Sequence, residues 1–410
     1  MTDSNHHIVQ VIIALGGILI WIMFVKSILT RIRIPALVGF LATGIFIRWA
    51  NGTEGPIPEE AFDIFSFFGE LGLITILFRV GLESNLKSLL AQVRRASVVW
   101  SANMVISGAV GFITAYYALG IHLIPSLFIT AAFTATSVGV SVKIWEEMNI
   151  LDSTDGKLLI DVAEMDDISA IFIMALLFSV APVLHAGENA SLVRLIPIQL
   201  AVVCLKFIGF AALCFLFAHF VEERMMNYFK NLDEPPPDAM IIVISFGFVI
   251  AALAALLGLS LAIGAFFAGL LFSRDPDCIK MESSFIPIYE FFSPFFLLGV
   301  GLDIDPATMV SGLKLGGVLL AAAVIGKFAA NGFPVYFMYG SVSAALIGIS
   351  MVPRAEITMV IMQTGLSMGN WAVPSALFNA MVFVAVGTCL ISPFGVQFTI
   401  EKSGYKTEND

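Results

Sequence analysis

"AEMDDISAI", residues 163–171, places three carboxylates inside a stretch that otherwise has the composition of a membrane-buried helix. The acids are Glu164, Asp166 and Asp167. An ionised side chain near the middle of a bilayer costs about 2.5–3.5 kcal/mol on insertion scales, and such residues are rare in transmembrane segments. Acids at this depth mark a candidate functional site, and the rest of the chain has to supply their partners.

The composition is that of a polytopic membrane protein. Of the 410 residues, 59% are hydrophobic and only 13% are charged, which excludes the ordinary soluble class. The formal net charge is −10, but the acids lie in short loops and a few helices, and without a basic face nucleic acid is not expected as a partner. The five histidines stand at loops and helix ends without a nucleophile or a metal cluster, so we expect neither an enzyme nor a bound cofactor.

Thirteen segments have the character of membrane spans, since a span needs roughly 17–25 mostly apolar residues. They lie near 8–30, 34–49, 62–82, 95–119, 124–147, 155–182, 194–220, 238–256, 258–273, 286–303, 312–337, 343–367 and 373–398. With the N-terminus outside and the C-terminus cytoplasmic, fourteen of the 21 Lys and Arg residues fall on the cytoplasmic side, and only Arg48, Arg194 and Lys314 fall outside. This excess follows the positive-inside rule and predicts a multi-pass protein of the inner or plasma membrane.

The chain also repeats itself. Residues 39–47, "GFLATGIFI", are echoed by 264–272, "GAFFAGLLF", and residues 77–83, "LFRVGLE", by 297–303, "LLGVGLD", at offsets of 225 and 220. Spans 1–6 and 8–13 are therefore predicted to be copies. Because seven spans separate equivalent points, the copies run in opposite directions through the bilayer. Inverted repeats are typical of secondary transporters whose site lies near the midplane at the repeat interface.

Two acids and a lysine reach the middle of the bilayer. At about 1.5 Å per residue, Asp166 and Asp167 lie roughly 16–18 Å from the cytoplasmic start of span 6, and Lys327 lies roughly 22 Å from the outer start of span 11. Unpaired, the three charges would cost roughly 8–10 kcal/mol. A structural salt bridge needs one acid, whereas two are adjacent here. Adjacent residues on a helix point about 100° apart, so we expect one carboxylate to face the lysine and the other to face an aqueous cavity.

Two spans carry helix-breaking chemistry at the same depth. They are span 5, with "FTATSVGVSV" at 133–142, and span 12, with "SMVPRAEIT" at 350–358, which occupy equivalent positions in the two copies. The residues concerned are Thr134, Thr136, Ser137 and Gly139 in span 5, and Pro353, Arg354 and Glu356 in span 12. Proline lacks an N–H donor and clashes with the preceding turn. The pattern predicts crossing interrupted helices whose end charges are offset by the charged residues nearby.

Taken together, the motifs resemble those of the monovalent cation/proton antiporter superfamily, in particular the bacterial NapA-type Na⁺/H⁺ antiporters of its two-aspartate branch. The ordered set is "PALVGFLATGI", "LFRVGLE", "TATSVGVSV", "MDD", "FFLLGVGLD", "IGK" and "MVPRAE", and it covers essentially the whole chain. The resemblance implies an all-α fold of about 13 transmembrane helices in two inverted repeats with crossing broken helices. It also implies a core transport domain that moves against a dimerisation domain.

The resemblance implies the following division of the chain. Residues 1–93 and 238–311 form the dimerisation domain, 94–183 and 312–398 the core transport domain, 184–237 a linking helix and cytoplasmic loop, and 399–410 a short cytoplasmic tail. A homodimer in membrane lipid is the expected assembly.

Residue roles are also carried over from the resemblance. Asp167 matches the acid that binds the cation, Asp166 the acid that pairs with the core lysine, and Lys327 that lysine. Thr136 and Ser137 are expected to supply further oxygen ligands, and the charges near the crossing are Arg354, Glu356 and Glu164. Glu164 departs from the family, which often has an apolar residue there. It lies one turn before Asp167, on nearly the same face of the helix. Three roles stay open for it: an extra cation ligand, a proton relay on the cytoplasmic side, or a partner for Arg354.

The predicted function is the exchange of Na⁺ or Li⁺ for H⁺ by elevator-like alternating access. Hard, small cations prefer oxygen ligands, so cation and protons compete for the two carboxylates. Exchange of two protons for one cation would make transport electrogenic. Two alternatives stay open: a K⁺/H⁺ antiporter with the same machinery, and a Na⁺-coupled symporter of an organic anion built on a related inverted-repeat fold.

Overall fold

A computed structural model shows a protein whose regular structure is helical throughout the described residues. Those residues are 3–31, 34–51, 59–83, 86–137, 141–142, 145–146, 148, 150–151, 153–186, 195–221, 224–225, 228, 239–273, 278–304 and 309–403. The all-α fold predicted from the sequence is confirmed.

Fourteen α-helices lie within the described part of the chain. They are α1 Asp3–Arg31, α2 Ala36–Asn51, α3 Glu59–Glu83, α4 Leu86–Phe112, α5 Leu123–Thr134, α6 Thr154–Ala186, α7 Leu195–Phe220, α8 Ala239–Leu256, α9 Leu261–Phe272, α10 Cys278–Leu302, α11 Met309–Tyr339, α12 Ser341–Ser350, α13 Glu356–Met368 and α14 Ser375–Ser403. A π-helix, Ile113–Ala118, continues α4. The predicted spans coincide with these helices to within several residues or a few turns at their ends, and span 12 coincides with the broken pair α12 and α13. The first half of span 5 is α5, and much of its second half lies outside the described residues.

The helices have the length and composition that a bilayer demands. Seven of those described are long and apolar enough to cross a membrane: α1, α3, α4 with its π-helical continuation, α6, α10, α11 and α14. Shorter apolar helices are found in α2, α5, α7, α8, α9 and α12. Many large apolar side chains are exposed, among them Ile20, Leu205 and Leu256. A surface of this kind suits lipid, where no water-facing polar coat is needed.

The chain divides into two compact units. Unit 1 comprises Met1–Phe24, Phe40–Leu86 and Asn189–Leu302, and unit 2 comprises Val25–Gly39, Lys87–Glu188 and Asp303–Asp410. Unit 1 thus holds α3 and α7–α10, and unit 2 holds α4–α6 and α11–α14. The assignment of dimerisation and transport roles to particular segments stays a prediction.

In unit 1, helices cross where glycines allow their backbones to touch. A Cβ added at Gly44 on α2 would lie 2.8 Å from the Cα of Gly301 on α10, and one added at Gly301 would lie 2.9 Å from the Cα of Gly44. A Cβ at Gly81 on α3 would lie 2.8 Å from the Leu270 backbone nitrogen, and one at Gly269 on α9 would lie the same 2.8 Å from the backbone nitrogen of Leu82. Only glycine permits such close approach.

These crossings account for the repeats in the sequence. Gly44 and Gly269 occupy the same place in the first echo, and Gly81 and Gly301 occupy the same place in the second. The contact between α2 and α10 is therefore the counterpart of the contact between α9 and α3. The repeated sequence segments therefore form the same type of glycine-mediated helix crossing at two places in the unit.

Unit 2 contains two helices that stop short. Helix α5 ends at Thr134 and is followed by an extended backbone at Ala135. Helix α12 ends at Ser350, and α13 starts only at Glu356. Helix α5 packs against α6 and α13, while α11 packs against α12 and α14. Both breaks lie in the buried part of the unit.

We expect Gly301→Ala to destabilise the protein, because the added methyl must push the α2 backbone away, at a cost of about 1–3 kcal/mol or more. Gly299→Ala is the matched control two residues earlier on α10, where an added Cβ meets nothing within 4 Å. There the gain in helix propensity, about 1 kcal/mol, should leave stability unchanged or raised. Thermal unfolding of the purified variants in detergent distinguishes the two, and equal behaviour would contradict the crossing.

Candidate functional site

The two interrupted helices meet through their extended segments. The backbone N–H of Ser137 donates to the carbonyl of Pro353 at 2.9 Å, and the N–H of Ala355 donates to Oγ of Ser137 at 2.8 Å. The predicted crossing of broken helices is therefore present. Its expected glycine, Gly139, lies outside the described residues. The Ser137 hydroxyl, expected as a cation ligand, accepts a bond that holds the crossing together.

Arg354 caps the end of α5. The last carbonyls of a helix have no amide partner within it, and Nη1 of Arg354 donates to those of Ala132 at 2.9 Å, Ala135 at 3.1 Å, and Phe133. The guanidinium carbon also lies over the ring of Phe133, 4.6 Å from its centroid. The arginine side chain is completely buried. A cation at this position offsets the negative end of the helix dipole.

Lys327 completes the cap and also binds an acid. Its Nζ lies 2.8 Å from the carbonyl oxygen of Thr134 and 3.2 Å from Oδ2 of Asp166. Both charged side chains are fully buried. The structure thus brings together the lysine and the acid that the sequence pairs, and it adds a helix end as a third participant.

The two oxygens of Asp166 have different surroundings. Oδ2 accepts hydrogen bonds from Nδ2 of Asn103 at 2.6 Å, from Oγ1 of Thr136 at 2.6 Å, and from Nζ of Lys327 at 3.2 Å. Oδ1 is buried and accepts no hydrogen bond from the residues that the structure describes. A carboxylate oxygen has room for more than one acceptor bond, so Oδ1 is open to a proton or a cation.

Sequence analysis did not identify three polar residues of the site, which are Asn103, Ser107 and Asn331. Oδ1 of Asn103 accepts from Oγ of Ser107 at 2.8 Å and from Nδ2 of Asn331 at 3.3 Å. Nδ2 of Asn331 also donates to the carbonyl of Lys327, one turn earlier on α11, at 2.9 Å. All three side chains are buried. The sequence feature that could have indicated them is an asparagine inside an apolar span, and Asn331 lies one helical turn after Lys327.

The remaining predicted residues lie on α6 and α13. Asp167 follows Asp166 on α6 and is half-buried, as is Glu164 one turn earlier. Glu356 is half-buried in the first turn of α13. A carboxylate there interacts favourably with the positive, N-terminal end of the helix dipole. Their assigned parts in ion binding stay predictions.

The other broken helix is capped without charge. Oγ of Ser392 donates to the carbonyl of Ile349 at 2.9 Å, and Oγ of Ser141 donates to that of Ser350 at 2.6 Å. Nε1 of Trp145 donates to the Ser350 hydroxyl at 2.9 Å. Among the described residues, serine hydroxyls thus donate to the last two carbonyls of α12, whereas the buried cations donate to carbonyls at the end of α5.

Comparison with known proteins identifies the class. The family model described as sodium/hydrogen exchanger, transmembrane, matches residues 17–402. This chain belongs to the sodium/hydrogen exchanger family. As a member of that family it is a multi-pass membrane protein and a cation/proton antiporter, not an enzyme. The resemblance to the monovalent cation/proton antiporter superfamily is confirmed.

Similar exchangers share most of their length with this one. The high-affinity Na⁺/H⁺ antiporter NhaS3 of Synechocystis is 28% identical, over 92% of this chain and 81% of the relative. The Na⁺/H⁺-K⁺ antiporter GerN of Bacillus cereus is 26% identical, over 90% and 91%. The solved structure of the sodium proton antiporter MjNhaP1 from Methanocaldococcus jannaschii superposes with a TM-score of 0.70 at 15% identity, covering 97% of this chain and all of that one. That likeness establishes the fold.

We expect Arg354→Leu to destabilise this exchanger strongly, because three buried carbonyls at the end of α5 would lose a charged donor. Each buried acceptor left unsatisfied costs about 1–3 kcal/mol. Arg354→Lys keeps the charge but not the planar fork, so an intermediate loss is expected. The midpoint of thermal unfolding in detergent measures both effects. A leucine variant as stable as the wild type would show that the arginine does not cap the helix.

Proposed function

We propose that this exchanger carries Na⁺ or Li⁺ in exchange for H⁺ at Asp166 and Asp167. The observation that carries the proposal is the divided carboxylate of Asp166, with Oδ2 held by three donors and Oδ1 buried and open. Asp167 is the next residue along the helix. Two carboxylates at this point offer oxygen ligands, which a hard monovalent cation prefers.

Competition between cation and protons follows from the burial of these groups. A buried charge needs a compensating partner, and a proton bound to the carboxylate supplies one. A bound cation supplies the same compensation. Each therefore excludes the other from the site. If the core crosses the membrane only when it is loaded with one or the other, exchange is obligatory.

Lys327 provides a second proton. Cation binding draws Asp166 away from its pairing with Lys327, whose Nζ lies 3.2 Å from Oδ2. The ammonium would then be left in a buried position with one charged partner fewer, which favours release of a proton. One proton from the lysine and one from the acid, exchanged for a single cation, make the cycle electrogenic. Alternation proceeds by an elevator-like movement of the core.

Potassium is the second candidate substrate. The Bacillus cereus relative is named as a Na⁺/H⁺-K⁺ antiporter, and the K⁺/H⁺ antiporter subunit KhtU of Bacillus subtilis is 24% identical over 92% of this chain. Both Na⁺ and K⁺ accept carboxylate oxygens, so selection between them depends on the size of the cavity. The transported ions need no bound cofactor.

The proposed setting is the inner or plasma membrane, with the N-terminus outside and the C-terminus cytoplasmic. The excess of Lys and Arg in cytoplasmic segments supports this orientation. A homodimer surrounded by lipid is the proposed assembly, in keeping with the resemblance to NapA-type antiporters.

The function is tested in proteoliposomes that hold a preformed pH gradient, with Na⁺, Li⁺ or K⁺ added separately. We expect Na⁺ and Li⁺ to dissipate the gradient and K⁺ to do so far less. Asp167→Asn should abolish the response while the protein remains folded. Asp63→Asn, at an exposed aspartate on α3, is the control and should transport normally.

Three outcomes would contradict the proposal. Dissipation by K⁺ alone would make the protein a K⁺/H⁺ antiporter. Full activity in Asp167→Asn would remove that residue from the site. A gradient that none of the three ions affects would overturn cation exchange as the function.

Lys327→Gln tests the second proton. We expect this variant to exchange more slowly and without net charge movement, because the lysine can no longer release a proton. The measurement is Na⁺ flux driven by an imposed membrane potential, which should move Na⁺ through the wild type. Wild-type flux that ignores the potential would contradict two-proton exchange, and an unchanged response in Lys327→Gln would contradict the part given to the lysine.

A further inference from the structure

The amide of Asn103 is fixed at both ends. Its Nδ2 donates to Oδ2 of Asp166 at 2.6 Å and lies 3.4 Å from the carbonyl of Thr134. Its Oδ1 accepts from Ser107 at 2.8 Å and from Asn331 at 3.3 Å. Turning the amide over would set its oxygen against two acceptor oxygens and its nitrogen against the Asn331 amide nitrogen. Only one orientation satisfies the network.

This fixed donor does not depend on charge. Asn103 and Thr136 are neutral, and each lies 2.6 Å from Oδ2 of Asp166, closer than Nζ of Lys327 at 3.2 Å. When the lysine changes its charge or its partner, the two neutral donors remain. The carboxylate therefore keeps its rotation, and Oδ1 stays on the open side.

We propose that Asn103 is a positioning residue of the transport site, acting through Asp166. It holds Oδ2 so that Oδ1 remains presented to the cation. The inference rests on the proposed function, because it concerns how that site binds its cation. Ser107 and Asn331 act one step further out, since each donates to Oδ1 of Asn103.

The network joins helices that are distant in the sequence. Asn103 and Ser107 stand on α4, Asp166 on α6 and Asn331 on α11. The asparagines are 228 residues apart. All members lie within unit 2, and all are buried. Because these groups are buried, a polar atom that loses its hydrogen-bond partner in this network is costly to the folded protein.

The test is the Na⁺ dependence of exchange in proteoliposomes at one fixed pH. Asn103→Leu keeps the approximate volume and removes the donor, so we expect its apparent KM for Na⁺ to rise about tenfold or more. The maximal rate should change by less than about threefold, since the loss falls on binding. Ser107→Ala loosens the amide, and its KM should rise about two- to threefold. Ser101→Ala is the control, because that hydroxyl is exposed and bonds only to Val98 of its own helix.

A double-mutant cycle separates positioning from general damage. Because Asn331 donates to Asn103, Asn331→Leu should raise KM when made alone, and should raise it clearly less when added to Asn103→Leu. A wild type that exchanges Na⁺, with unchanged KM in Asn103→Leu and Ser107→Ala, would overturn this inference alone. So would a fall in maximal rate without a change in KM.

Two further outcomes are decisive. A wild type inactive with every cation would overturn the proposed function and this inference with it. Should Asn103→Leu fail to fold, Ser107→Ala and Asn331→Leu decide the matter. Raised KM in both supports the inference, and wild-type KM in both overturns it.

Discussion

A helix that ends inside an apolar protein leaves carbonyl groups that need donors, and the end of α5 is such a place. Arg354 and Lys327 supply the donors there, and both side chains are completely buried. Lys327 serves a second partner, Asp166. A buried ammonium is thereby shared between an acid and a helix end, so neither alone has to neutralise it. The rest of the site is arranged around this division.

The two broken helices differ in a way that bears on transport. The last two carbonyls of α12 accept from the hydroxyls of Ser392 and Ser141, groups that keep the same charge at every physiological pH. The end of α5 is satisfied partly by a lysine. A change in the protonation of Lys327 therefore alters the capping of the very helix that leads into Thr136. In the proposed exchange cycle, proton release from Lys327 would thus affect the backbone of the crossing as well as the bound ion.

Charge and depth were enough to predict the centre of the site from the sequence. Asp166 and Lys327 stood out because ionised groups are expensive in a bilayer, and Pro353 marked a break because proline cannot continue a helix. Asn103 and Asn331 did not stand out, since a neutral amide is far less costly to bury and their contact joins positions 228 residues apart. Which oxygen of a carboxylate is held and which is open is decided by tertiary contacts.

The glycine crossings of unit 1 limit how this protein can change. At Gly44 and Gly301, and again at Gly81 and Gly269, the opposing atoms are main-chain atoms. An ordinary clash in a core can be relieved by a smaller neighbouring side chain. Here the opposing atoms belong to the backbone, so no side-chain substitution removes them. Substitutions at these four positions therefore have no simple suppressor. Evolution can revise the pockets and loops of the chain by compensating pairs of mutations, while these contacts must be inherited intact.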